Sequence, residues 1–204
     1  MEKTKYTMKS RILKAVAVMI GRVFYDPKYL KGQFFGPGMT RGWYWVLRCF
    51  FMQKIVGINR DVPFPATFTS KIPNWKGIRF DPDSMNLFQK SGCYFQAVEG
   101  ATITIGRHCE IANNVGIITA NHDIYDINAH AGGQDVILGD YCWVGINAVI
   151  LPGVVLGPHT VVGAGSIVNK SFPEGYCVLA GSPARVIKTL RPEQCRENME
   201  ERSK

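Results

Sequence analysis

Aliphatic residues recurring every six positions, small residues beside them and one long break in the repeat predict an all-β-dominated parallel β-helix. The repeat runs through Ile105, Ile111 and Ile117, then Leu138, Val144, Ile150, Leu156, Val162 and Val168. The residue after each is mostly small or turn-tolerant: Gly106, Ala112, Gly139, Gly145, Gly157, Gly163 and Asn169, with Ile118 and Leu151 as exceptions. A period of six is not the 3.6 of a helix, nor the simple alternation of a flat strand. It suits short strands joined by tight corners, three hexads to a triangular coil.

Each element follows from that phase. The first hexad residue points inward and stacks on its counterpart one coil away. The fifth residue also points inward, where room is short, which suits Cys109, Val115, Cys142, Ala148, Val154, Thr160 and Ser166. By phase Asn121 belongs to the same inward set, and Phe172 closes it. The glycines after the aliphatic residues are expected to supply backbone angles that branched residues resist. Leu138, Val144 and Ile150 make one coil, and Leu156, Val162 and Val168 the next. Upstream the phase continues in degraded form, with Leu87, Cys93 and Glu99 at first positions and Ser91, Ala97 and Ile103 at fifth positions. This reads as an irregular terminal coil.

The flanks differ. Residues 1–70 read as a partly helical N-terminal extension: a Lys/Arg-bearing amphipathic segment, then the aromatic run Trp43 to Met52, then Pro63 and Pro65 as a connector. The solenoid spans residues 71–190, with a loop insertion at 123–137. The charged tail 191–204 opens on Arg-Pro-Glu and is expected to cap the solenoid as a short helix.

Composition narrows the function classes. The 204 residues carry 24 Lys and Arg against 16 Asp and Glu, a formal charge of +8, and 46% are hydrophobic. That apolar share supports a real core and excludes a disordered acidic chain. No run of about 18 apolar residues marks a transmembrane helix. The positive balance points to an anionic partner, yet no nucleic-acid motif is present. Six cysteines without a CxxC pair read as reduced thiols in a cytoplasmic protein. Lys14 interrupts the apolar stretch after the basic N-terminus, so an export signal is not expected.

The break in the repeat is where chemistry is expected. Asp123 to Ile137 forms a 15-residue insertion thrown out from a solenoid corner, and such loops are usually functional or disordered. His122 stands at its root.

Here the sequence resembles the hexapeptide-repeat acyltransferases, with the maltose, galactoside and polysaccharide O-acetyltransferases as the nearest likeness. The carrying segments are Ala120-Asn121-His122-Asp123, the run from Val136 through Trp143 and Gly145 to Val154, Gly163 to Lys170, and Ala180 to Lys188. The resemblance implies a left-handed parallel β-helix and a homotrimer with active sites between neighbouring solenoids. It implies acetyl-CoA as acyl donor and a sugar hydroxyl as acceptor, with no metal: His122 is the catalytic base, and Asn121, Asp123 and Trp143 support it. Trp143, Gly145, Ala164, Lys170, Arg185 and Lys188 are implied to hold the donor. Cations suit its phosphates, and a backbone N–H near the Gly145 corner suits the oxyanion. Gly92 and Gly100 stand where relatives carry polar acceptor contacts, so Tyr94, Gln96 and Glu99 are the acceptor candidates.

Other readings stay open. The same base serves an amine, giving N-acetylation of an amino sugar or antibiotic. A carbonic-anhydrase-like metalloenzyme would need three converging histidines, to be drawn from His108, His122, His130 and His159. A non-catalytic trimeric scaffold is the last. The basic, aromatic N-terminal segment also permits peripheral contact with a membrane surface.

Overall fold

The six-residue period becomes three sheets whose strands pair in parallel from coil to coil. The computed structural model describes residues 8–129 and 132–195. Its strands are β1 (Ile78–Phe80), β2 (Tyr94–Gln96), β3 (Ile103–Ile105), β4 (Glu110–Ile111), β5 (Gly116–Ile118), β6 (Val136–Leu138), β7 (Trp143–Val144), β8 (Val149–Ile150), β9 (Val155–Leu156), β10 (Thr160–Val162), β11 (Ile167–Val168), β12 (Cys177–Gly181) and β13 (Ala184–Thr189). The sheets have the orders β1-β3-β6-β9, β13-β12-β10-β7-β4 and β11-β8-β5-β2. From β3 to β11 the chain therefore visits the three sheets in strict rotation. The chain is mostly β with few helices.

Register follows the aliphatic phase. Ile105, Leu138 and Leu156 align in one sheet, Ile111, Val144 and Val162 in the second, and Ile117, Ile150 and Val168 in the third. All nine are buried. The coil at 105–117 stacks directly on that at 138–150, so the insertion leaves the register of the solenoid untouched. Between these columns the fifth residues fill the narrow corners, as expected, with one exception. Asn121 is exposed, because the coil closes earlier: Thr119 and Ala120 are the buried residues at that corner.

The glycines act differently from expectation. Gly106, Gly139 and Gly145 have no positive φ. A Cβ on Gly139 would stand 2.8 Å from Pro158 N, and one on Gly145 2.7 Å from Ala164 N. These residues are small because the backbone of the next coil passes against them. The left-handed conformation falls two residues later, at His108, Tyr141 and His159 on one corner and at Asn114, Asn147 and Gly165 on another. Asn tolerates this region better than most side chains. The His and Tyr residues are held there by stacking. His108, Tyr141, His159 and Tyr176 form a continuous ladder with ring centroids 5.0, 4.9 and 5.0 Å apart. That spacing is about the 4.8 Å rise between hydrogen-bonded strands.

Upstream, the degraded phase is corrected. Phe95, not Glu99, aligns with Ile117, and Phe80, not Leu87, aligns with Ile105. Glu99 and Ser91 are exposed. The step from Phe95 in β2 to Ile105 in β3 is longer than the single hexad that takes Ile150 to Leu156 between the same two sheets, so the phase shifts there. At the other end β12 and β13 form an antiparallel hairpin on β10. The period does not reveal this hairpin. Helical backbone begins at Pro192 and runs to Cys195; the rest of the tail lies outside the described residues.

The chain divides into two compact units, Met1–Phe68 and Thr69–Lys204. The first holds helices α1 (Met8–Phe24) and α2 (Arg41–Phe50), the latter continuing into a π-helical turn, Phe51–Val56. Gln53, wholly buried, organises this unit. Its amide nitrogen donates to the carbonyls of Asn59, Val62 and Phe64, and its oxygen accepts from Tyr25 Oη and Ala66 N. A buried amide so fully satisfied specifies one chain path.

Two expectations test this architecture. Ile150→Ala, inside the column Phe95, Ile117, Ile150 and Val168, is expected to cost about 2–5 kcal/mol, read as a lowered denaturant midpoint. Burial holds the His159 imidazole below its ordinary pKa, with Asp140 partly opposing. The unfolded chain then binds the proton more readily. This contribution to stability is present above the unfolded value of about 6.5 and is lost as pH falls through the lowered folded value. His159→Asn, which suits the same backbone region, is expected to flatten that part of a pH series of thermal midpoints.

Candidate active site

The loop root is built from one buried threonine. Thr119 Oγ1 donates to the Gln96 carbonyl at 3.0 Å and accepts from Val98 N at 2.9 Å. Its own N–H also reaches Gln96 O, and its carbonyl accepts from Gln134 N at 2.8 Å. Thr119 thus ties the departing strand to the coil below and to the returning end of the loop. Asp135 completes the base: its carboxylate accepts from Thr102 N at 2.7 Å and from Thr102 Oγ1 at 2.9 Å. These bonds, the backbone one foremost, hold the Asp135 carboxyl below the usual carboxylate range. Neither residue stood out in the sequence, since a buried Thr in a small-residue position carries no distinguishing signal.

His122 leaves this base three residues after Thr119. Its Nδ1 lies 2.8 Å from the Ile127 carbonyl oxygen. A carbonyl only accepts, so Nδ1 carries the proton, and in the neutral ring Nε2 carries the lone pair. The ring is exposed. Asp123 shapes the loop that supplies this carbonyl. Its carboxylate accepts from Tyr125 N at 2.7 Å and Asp126 N at 3.1 Å, while its N–H donates to Ala129 O. Asp126 repeats the device on Asn128 N. Asp123 therefore acts through the loop backbone that positions the imidazole. Asn121 is exposed beside His122, not the buried corner amide expected from phase.

The remaining candidates fall on two regions. Gln96 aligns with Ile118 in the sheet that leads to Thr119. Its side-chain oxygen is buried and has no hydrogen-bond partner among the described residues. Tyr94 aligns with Gly116, and the Lys71 ammonium lies 6.0 Å from its ring centroid. Glu99 is exposed on the turn before β3. Trp143 lies outward on a second sheet, in a row that runs Glu110, Trp143, Val161, Val178, Lys188. The hairpin thus brings Lys188 into line with Trp143, which the sequence separates by 45 positions. Arg185 is exposed on the same hairpin, one guanidinium nitrogen donating to Ala184 O at 2.8 Å. Lys170 is exposed after β11, on the corner that bears Thr119 two coils earlier. Two coil steps amount to about 10 Å along the solenoid.

The Gly145 expectation needs revision. Gly145 N donates to Val162 O at 2.8 Å in the inter-coil ladder, so this amide is not open to an oxyanion. Gly145 approaches Ala164 of the next coil, while Ala164 itself is exposed.

The cysteines behave as core. Cys109 and Cys142 are each 1% exposed. Their thiols donate to Gly139 O and Gly157 O. The hydrogen bond with Cys109 and then burial push the Cys142 thiol far up, which opposes thiolate chemistry. Of the four histidines, His108 and His159 are engaged in the aromatic ladder, and His130 lies outside the described residues. Among the described residues no group of three His, Cys, Asp or Glu is placed to hold a metal.

Residues 135–170 match the family model described as bacterial transferase hexapeptide (six repeats). The chain is 38% identical over 96 residues to the galactoside O-acetyltransferase of Escherichia coli, covering 46% of this chain and 47% of that one. It is 28% identical over 172 residues to WbbJ of the same species, a protein named for lipopolysaccharide biosynthesis O-acetyl transfer, covering 76% of this chain and 85% of that one. A solved maltose O-acetyltransferase from Clostridium difficile is 24% identical, with a TM-score of 0.45 and coverage of 91% and 90%. Apart from WbbJ, the chain spans about half the length of the curated relatives it matches. The chain carries the transferase hexapeptide repeat and resembles the hexapeptide-repeat acyltransferases, with galactoside and polysaccharide-biosynthesis O-acetyltransferases among its homologues.

Proposed function

We propose that this protein is an acetyl-CoA-dependent O-acetyltransferase acting on a sugar hydroxyl of a surface-polysaccharide precursor. The observation that carries the reading is the His122 imidazole, held by the Ile127 carbonyl with Nδ1 protonated. Nε2 then takes the proton of the acceptor hydroxyl as its oxygen attacks the thioester carbonyl. The carbon–sulfur bond breaks as the tetrahedral intermediate collapses. The imidazolium returns the proton to the departing thiolate, and His122 is restored. General-base help of this kind contributes about 10²–10⁴-fold.

The buried cysteines favour direct transfer from donor to acceptor, with no acyl-cysteine step. Gln96 supports the acceptor assignment: a buried amide oxygen without a partner is costly and suits a sugar hydroxyl as donor. Tyr94 and Glu99 complete that candidate set, and Asn121 and Asp123 flank the base. On the donor side, Trp143, Gly145, Ala164, Lys170, Arg185 and Lys188 are proposed to receive the acyl donor. Exposed Lys170, Arg185 and Lys188 meet its phosphates. Left-handed coiling, a homotrimer with sites between adjacent solenoids, a cytoplasmic location and a division into residues 1–70, 71–190 and 191–204 complete the proposal.

The test follows thiol release from acetyl-CoA across a panel of saccharides, with product mass and alkali lability. Acceptor-dependent release and an alkali-labile acetyl product are expected. His122→Ala is expected to lower the rate by about 10²–10⁴-fold with the fold retained. Full activity in that variant, or no acceptor-dependent release, would overturn the proposal. An alkali-stable product would move the assignment to N-acetylation.

A further inference from the structure

Helix α1 is amphipathic in an unusual sense. Its packed side is made of small residues: Ala17 and Gly21 are buried, and a Cβ on Gly21 would meet Leu30 and Trp43 at 3.1 Å. Its outward side is apolar. Ile12, Val16, Met19 and Val23 follow the four-three-four spacing of one helical face, and they are 38 to 69% exposed. Arg11 and Arg22 border this row on one flank and Lys9 on the other, at about 100° per residue. A second outward row, Tyr44, Phe51 and Ile55, with Arg48 among them, runs along α2 and its π-helical extension.

Exposed apolar rows edged by cations mark a surface that meets a partner. Charge says which. From Met8 to Arg60 ten Lys or Arg stand against a single acidic residue, Asp26. A second copy of this unit would bring like charges together. An anionic lipid surface satisfies both features: the apolar row enters the acyl boundary, and the flanking cations meet the headgroups. No helix among the described residues is long and apolar enough to cross a membrane.

We propose that α1 docks flat on an anionic lipid bilayer through Ile12, Val16, Met19 and Val23, with Lys9, Arg11 and Arg22 at the headgroups. This assignment is independent of the acyl-transfer reading.

The test floats the full chain with vesicles of phosphatidylcholine alone and of phosphatidylcholine with phosphatidylglycerol. Binding to the anionic vesicles only, weakened by added salt, is expected. The M19E/V23E variant is expected to lower partitioning by at least about tenfold. The exposed R11Q/R22Q variant, which leaves the apolar row intact, is expected to lower it by about tenfold. Equal flotation on both vesicles, no flotation, or binding unchanged in both variants would overturn the proposal. So would a fall in solution mass in M19E/V23E without vesicle binding by the native chain, which would assign the row to a second copy.

Discussion

Backbone stacking from coil to coil is the constraint on which the rest of the solenoid depends. Each strand from β1 to β11 has only two or three residues, too few to be stable alone. It gains its place by hydrogen bonding to the strands one coil above and below, and by laying its aliphatic residue on theirs. Everything that brings the coils closer follows from this. Gly106, Gly139 and Gly145 lack a side chain because the next backbone passes there. The inward corners accept only small residues, including the thiols of Cys109 and Cys142.

The same constraint explains the two kinds of corner. At two of the three corners the chain turns through one left-handed residue in each of the coils from β3 to β11. Asn114 and Asn147 adopt this conformation through intrinsic tolerance. His108, Tyr141 and His159 do not have it to the same degree, and their rings are stacked at the coil spacing into one ladder with Tyr176. Ring stacking, worth about 0.5–1.5 kcal/mol per aromatic pair, offsets the backbone cost of about 1–3 kcal/mol at a non-glycine residue in this region.

A stack this regular can carry a long loop without losing register. The coils on either side of residues 119–135 align residue for residue, and Thr119 closes the gap between them. The loop then folds on its own carboxylates and presents one carbonyl, that of Ile127, to the His122 ring. The short path from Thr119, which rests on the coil, to His122, whose ring meets the Ile127 carbonyl, thereby favours one tautomer.

Much of this was legible in the residues. The nine aliphatic positions, the break after His122 and the inward thiols all follow from a single period, because stacking imposes the same demand in every coil. The two helices of the first unit were legible only as a class, and the buried Gln53 that organises them was not. What the period could not supply was anything set by contacts between coils or by departures from them. The second-position glycines serve close approach and not left-handed turns, since spacing does not distinguish the two uses of glycine. Asn121 turned outward because the chain left the coil two residues early. Phe95 took the place of Glu99 in the stack because the path from it to β3 is longer than one hexad. The row that aligns Lys188 with Trp143 arose from a hairpin that no hexad predicts. Sequence by itself determined the repeat, the core and the position of the histidine, since each depends on local spacing. Tertiary structure decided the histidine's tautomer, the row that aligns Lys188 with Trp143 and the outward apolar face of α1, since each depends on what another part of the chain places beside it.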